Sequence, residues 1–184
     1  MEVVVNTHGK GLPATKVFFA DEAGFEVASV IVFGENEAAL LDAQWTLSSA
    51  HRVIAEILET GKRLTKIFVT HSHPDHYFGL GHIAEAFPEA QVLALPEDCE
   101  IINEQFFGKV EHWEQVIGAV NMPRKKAEIE PLKENYFELE GHRIEIIPKL
   151  IGDMKYNSAV WIPSIGTLYG SDLLFNGAHP FTCE

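Results

Sequence analysis

The run His71-Ser72-His73-Pro74-Asp75-His76 places four metal-capable side chains within six positions. Imidazole and carboxylate are ligand types that suit zinc, iron and manganese. The run follows an apolar, strand-like stretch, Ile67-Phe68-Val69-Thr70. Side chains two apart in an extended segment point to the same side, so His71 and His73 can grip one ion together. Asp75 and His76 fall where the chain turns into a helix and can reach a second ion beside the first. A helix N-cap would account for Asp75 alone and leaves the histidines without a role. Metal binding is therefore the reading that the run supports.

A two-ion site needs more ligands than this run supplies, and a bridging carboxylate is useful because it holds two cations close together. Asp172 is the best candidate. It ends Gly166-Thr167-Leu168-Tyr169-Gly170-Ser171-Asp172, where a strand emerges and small residues permit close backbone approach. Spacing alone favours an ordinary turn aspartate over that role.

The elements that must position these residues can be read from periodicity. Val17–Ala20, Val27–Phe33 and Ala38–Leu41 are short apolar runs expected to be strands, with a hairpin turn at Gly34–Glu37. Leu47, Ala50, Val53, Ile54, Ile57 and Leu58 recur at helical spacing as one buried face, and Gly61 fits a helix stop. A strand over 66–70, a helix from Tyr77 to Phe87 and a strand over 91–95 follow, and Pro96 opens another helix. Residues 108–134 carry mixed signals. Strands return at 136–139, 143–147, 158–162 and 167–169. This alternation predicts an α/β (α+β) protein of mixed sheets covered by helices, organised as one domain over 1–184.

The bulk properties narrow the function classes. The chain has 184 residues, 46% hydrophobic and 22% charged, with a formal net charge of −13. That charge argues against nucleic acid, whose phosphates need a Lys/Arg surface, and against a polybasic membrane role. No basic leader with an apolar stretch is visible, and no apolar run reaches membrane-spanning length. Cys99 and Cys183 are too few for a disulfide framework, so a cytoplasmic setting is expected. A small-molecule substrate is the expected partner, with homo-oligomerisation as a further expectation.

The histidine run after a buried strand, with Gly170-Ser171-Asp172 after a later one, resembles the metallo-β-lactamase-fold superfamily. The segment Asn157-Ser158-Ala159-Val160-Trp161-Ile162-Pro163-Ser164 also looks like the second-half hairpin of its small-hydrolase branch. The resemblance implies an αββα sandwich with the metal site along one edge between the sheets. It implies two divalent cations, with zinc expected and iron or manganese as alternatives, and hydrolytic chemistry. By the same resemblance His71 and His73 would bind the first ion, Asp75 and His76 the second, and Asp172 would bridge. Asp42 matches an aspartate that supports the ligand loop from behind, against the alternative of a plain turn residue.

The chain departs from the family pattern twice. A third first-ion histidine is expected after the strand over 143–148, where the sequence reads Lys149-Leu150-Ile151-Gly152-Asp153-Met154. Asp153 could replace it, since carboxylate oxygen is also a zinc ligand; the alternative is a solvent-facing turn aspartate. A last second-ion histidine is expected well beyond Asp172, but the sequence ends twelve residues after it at Glu184. The resemblance thus implies a C-terminally short version of the fold, or a site completed by a neighbouring subunit. His179 is read as a pocket-edge residue.

Hydrolysis of a small ester, lactone, thioester or β-lactam is the expected activity. Asp75 would orient the nucleophile and shuttle its proton, and Tyr156 could donate a hydrogen bond to the substrate, the favoured alternative being a half-buried core tyrosine. Phe106, Phe107 and Trp113 could line an apolar pocket, although aromatics in such segments are more often simply core. The rival readings are an iron-binding redox protein and a non-catalytic or metal-deficient relative of the fold.

Overall fold

A computed structural model of the chain describes residues 2–175. Seven strands make the first sheet in sequence order: β1 (Glu2–Asn6), β2 (Ala14–Phe19), β3 (Ala28–Phe33), β4 (Glu37–Leu41), β5 (Arg63–Val69), β6 (Gln91–Ala94) and β7 (Glu130–Pro131). The first four are antiparallel neighbours, and β4 to β7 run parallel. The second sheet is antiparallel, in the order β11 (Thr167–Tyr169), β10 (Asn157–Ile162), β9 (His142–Leu150), β8 (Tyr136–Leu139).

The helices are α1 (Leu47–Thr60), α2 (Pro74–Tyr77), α3 (Leu80–Ala86) and α4 (Pro96–Ile117). Parallel pairing requires crossovers, and α1, α3 and α4 supply them, packing on one face of the large sheet. One apolar cluster fills that helix–sheet layer, with Ile31, Leu40, Val53, Ile57, Ile67, Phe78 and Phe106 at its centre. A second joins the two sheets face to face through Val32, Leu41, Phe68, Phe137, Ile144 and Val160. The sheet residues alternate between the two clusters, as the pleat demands: Leu40 faces the helices and Leu41 the second sheet. Helix, sheet and sheet are the layers of the expected αββα sandwich. Among the described residues all four α-helices precede the small sheet in sequence, and after β8 the chain holds only short 3₁₀ turns besides strands.

Most expected elements are found, and the differences have identifiable causes. Helix α1 is set by Thr46, whose side chain accepts from the Ser49 N–H, and by Gly61, left-handed at φ 67°. Its buried face is narrower than the apolar spacing implies, because Leu58 is exposed. The helix expected over 77–87 is broken at Phe78–Gly79. There the loop after β4 takes the ladder's hydrogen bonds: the Ala43 N–H binds the His76 carbonyl at 2.8 Å, and the Gly79 N–H binds the Gln44 carbonyl at 3.0 Å. Only glycine permits that approach, since a Cβ on Gly79 would lie 2.0 Å from the Ala43 oxygen. Helix α4 runs on through the ambiguous stretch to Ile117. Strand β1, which the apolar pattern does not reveal, is an exposed edge strand that pairs, among the described residues, only with β2. No helix among the described residues is long and apolar enough to cross a membrane.

Candidate metal centre

The parallel strands β4 and β5 end side by side, and ligands in open α/β sheets collect at such carboxyl ends. Asp42 leaves β4 there and the histidine run leaves β5. The second sheet arrives through β10, where the Ser158 N–H and hydroxyl both donate to the Thr70 carbonyl. Loop 151–156 precedes β10 and carries Asp153; the turn after β11 carries Asp172.

The structure brings together His71, His73, Asp75, His76, Asp153 and Asp172. Ligand atoms of His71, His73, Asp153 and Asp172 lie within 4.8 Å of one another, and so do those of Asp75, His76 and Asp172. Asp172 is common to both groups. His73 Nδ1 is 2.7 Å and His71 Nε2 3.9 Å from Asp153 Oδ2. His76 Nε2 is 3.4 Å from Asp75 Oδ2 and 3.2 Å from Asp172 Oδ1. Asp153 is thus a buried residue of the cluster, not a solvent-facing turn residue.

Three buried polar atoms of the cluster, His71 Nε2, His76 Nε2 and Asp153 Oδ1, have no hydrogen-bond partner. Buried polar atoms are rarely left so, and a pair of cations would satisfy all three. The tautomers agree with that use. His76 Nδ1 is 2.9 Å from Asp42 Oδ2 and directs a proton there; against burial, Asp75, Asp42 and Asp172 hold this ring's pKa well above its usual value, and a cation at Nε2 would take the place of its second proton. Thr70 donates its hydroxyl to Asp42 at 2.9 Å, and can then accept from His71 Nδ1 at 3.0 Å, which frees Nε2. Burial, together with the neighbouring His76, pushes the His71 imidazole down to about 4, so this ring is neutral at neutral pH. The residues present therefore fit two divalent cations.

Asp42 is fully buried beneath the ligands. Its Oδ1 accepts from the Thr70 N–H at 2.8 Å, and its Oδ2 lies 2.8 Å from the Tyr169 hydroxyl and 3.1 Å from the Ser171 hydroxyl. Burial opposes its negative charge, but the adjacent His76 and these donors prevail and hold its carboxyl below the usual range. The backbone around it is strained to fit: Asp42 and Gln44 have φ of 61° and 73°, left-handed values that non-glycine residues seldom adopt. Thr70, Tyr169 and Ser171, not singled out in the sequence, all reach Asp42. Thr70 adjoins the histidine run, but nothing local marks any of the three as a partner of Asp42.

Tyr156 borders a cavity next to His73. Phe106 and Trp113 take the core role that their type favours: Phe106 is buried against Phe78, and Trp113 packs edge-on against Trp45 at 5.0 Å. Phe107 is exposed. His179 lies outside the described residues.

One further acid sits behind the ligand loop. Asp98, in the first turn of α4, is fully buried, and neither oxygen has a hydrogen-bond partner. Burial raises its carboxyl from 3.8 to about 7, with Ser72 near enough to oppose that rise only in part. The folded state therefore holds a proton that the unfolded chain has released. Stability from this group is complete below 3.8, falls as pH rises towards about 7, and is level above. Asp98→Asn is expected to be more stable than wild type above that window by about 2–4 kcal/mol, with no gain at its acid end. Urea midpoints across pH check this; parallel curves for the two proteins would contradict it.

A buried, orphan-rich cluster of imidazoles and carboxylates that could hold metal ions lies at the edge of a ββ sandwich of the αββα class. The model of the metallo-beta-lactamase superfamily matches residues 23–182, and the chain belongs to that superfamily. It is 36% identical over 79 residues to the uncharacterized protein YobT of Bacillus subtilis (strain 168), an alignment covering 42% of this chain and 33% of that protein. The match thus spans about a third of the curated relative. Among solved structures, it is similar to a metallo-β-lactamase from Pontibacter korlensis (14% identity, TM-score 0.71, covering 97% of this chain and 75% of that one). It is also similar to the DIM-1 metallo-β-lactamase exposed to ceftazidime (17% identity, TM-score 0.68, 97% and 74%). At these identities the structural likeness speaks to the fold alone.

Proposed function

We propose that the chain is a dinuclear metal-dependent hydrolase acting on a small ester, lactone, thioester or β-lactam. The observation that supports this most is the sharing of Asp172 by two ligand groups whose buried nitrogen lone pairs have no other partner. Divalent cations bound there, zinc by preference, would supply Lewis acidity and a water acidic enough to act as nucleophile near neutral pH.

The chain's own groups supply the rest. His71, His73 and Asp153 face one side of Asp172, and Asp75 and His76 the other. Asp75 is mostly enclosed, with 19% of its side chain exposed. Burial works against its charge, but His76 outweighs it and keeps the carboxyl below the usual range. An ionised Asp75 at the open edge can orient the attacking water and accept its proton. Asp42 fixes His76 from behind, and Tyr156 stands beside His73 where it can donate to a substrate oxygen. Two carboxylates among the first ion's ligands would favour a harder metal than an all-imidazole set does. The β-lactam in the substrate range is suggested by the named activity of the solved structures.

A panel of nitrophenyl esters, lactones, thioesters and β-lactams, assayed with zinc- and manganese-loaded protein, tests the reading. Turnover of at least one class is expected, lost with a chelator and restored by metal. Asp75→Asn should lower kcat by about 10²–10⁴. Metal-loaded protein that hydrolyses nothing in the panel would count against a hydrolase, as would an Asp75→Asn variant with unaltered kcat.

A further inference from the structure

Beside the ligand cluster lies a cavity of about 280 Å³, walled by Ser72, His73, Gln105, Lys109, Lys155 and Tyr156 among others. Its volume suits part of a small molecule, and His73 gives it a wall in common with the metal centre. Its charge is unlike that of the chain. The net charge is −13, yet the cavity lining contains two lysines and no carboxylate.

Several cations elsewhere are paired with acids. Lys16 meets Glu56, Arg63 meets Glu37, Arg124 meets Glu114, Lys125 meets Glu85 and Lys149 meets Glu97. Lys109 and Lys155 have no ion pair among the described residues, although acidic side chains abound. Lys155 instead stands 5.1 Å from the centroid of the Tyr156 ring. Two ammonium groups gathered on one cavity repel each other until an anion enters between them. Around them the protein's field turns anions away, so an anionic substrate would need a local cationic patch to reach the centre.

We propose that this cavity is the subsite for an oxyanion carried by the substrate, a carboxylate or a phosphate, with Lys109 and Lys155 as its counter-charges and Gln105 and the Tyr156 hydroxyl as further donors. The proposal rests on the hydrolase reading for the reaction, and it narrows the substrate class to acyl compounds with an anionic tail. Lys109 projects from the middle of α4 and Lys155 from the loop bearing Asp153. The tail would therefore extend from the scissile group past His73 towards α4.

The test uses the zinc-loaded full chain and two esters: the nitrophenyl monoester of glutarate, and an isostere whose free carboxylate is replaced by isopropyl. The ratio of kcat/KM, charged over neutral, is expected to be about tenfold or more, a charge-assisted bond being worth roughly one decade. In the Lys109→Met/Lys155→Met variant the ratio should fall to about one, and in wild type it should decline as salt is raised. A ratio near unity in wild type, or one that the double variant leaves unaltered, would overturn the subsite.

Turnover of neither ester would count against the hydrolase instead, and binding then decides the subsite. Calorimetric titration with glutarate and with phosphonobutyrate should show binding in wild type that the double variant loses; the tighter of the two identifies carboxylate or phosphate. Equal binding by both proteins, or none by wild type, would reject the subsite whatever the hydrolase result.

Discussion

Replacing Asp42 with alanine is expected to destabilise the metal-free protein by about 3–5 kcal/mol, the cost of removing one partner from a buried charged network. The side chain is fully buried, and its removal takes an acceptor from the Thr70 amide, three hydroxyl groups and the Nδ1 of His76. The Tyr169 hydroxyl keeps the Ala28 carbonyl and the Thr70 and Ser171 hydroxyls keep each other, but losing the acceptor is costly for the buried amide and imidazole donors. Metal affinity should fall as well, by about 10–100-fold, because the tautomer of His76 is no longer enforced.

Asp42→Asn separates the two effects. The amide keeps the shape, but either of its orientations turns N–H groups towards donors, the Thr70 amide in one case and His76 Nδ1 in the other. Asparagine should thus cost less stability than alanine while still weakening the metal. Urea unfolding and competition with a chromophoric chelator measure the two quantities. An Asp42→Ala protein with the wild-type midpoint would contradict the role assigned to this residue.

Asp172→Ala should behave in the opposite way. The Asp172 side chain is 26% exposed and touches the protein chiefly through His76 at 3.2 Å, so the metal-free variant should unfold within about 0.5 kcal/mol of wild type. Yet both ligand groups depend on it. Metal content should drop below one equivalent per chain, and kcat/KM by about three orders of magnitude, since several kcal/mol of charge stabilisation leave with the cations. A variant that kept its metal and its turnover would remove Asp172 from the centre. The contrast between the two aspartates, one costly to the fold and the other to the cations, follows from burial and donor count alone.

What could be read in the sequence was what the chain encodes locally. His71, His73, Asp75 and His76 lie on one strand end and the helical turn after it, so their proximity needs no tertiary knowledge. Gly61 marks the end of α1 by residue type, whereas the Thr46 cap at its start shows only in the fold. Asp172 and Asp153 were reachable through family resemblance, although only the folded loop shows Asp153 at His73. What stayed hidden depends on long-range contacts. The break at Phe78–Gly79 arises because the loop after Asp42, far away in sequence, takes the helix's backbone groups. Thr70, Tyr169 and Ser171 converge on Asp42 from two separate strand ends, and no spacing rule links them. The packed surroundings of Phe106 and Trp113 make them core, the role that residue type favoured. Asp98 is a first-turn acid like many others until its burial is seen.

The central claim is that these six side chains hold two cations around Asp172. Elemental analysis tests it most directly, on protein produced in medium supplemented with zinc, iron and manganese and then dialysed against metal-free buffer. Wild type is expected to retain two equivalents of divalent metal per chain, and Asp172→Ala fewer than one. Wild-type protein that retains no metal, or that retains as much without Asp172 as with it, would contradict it.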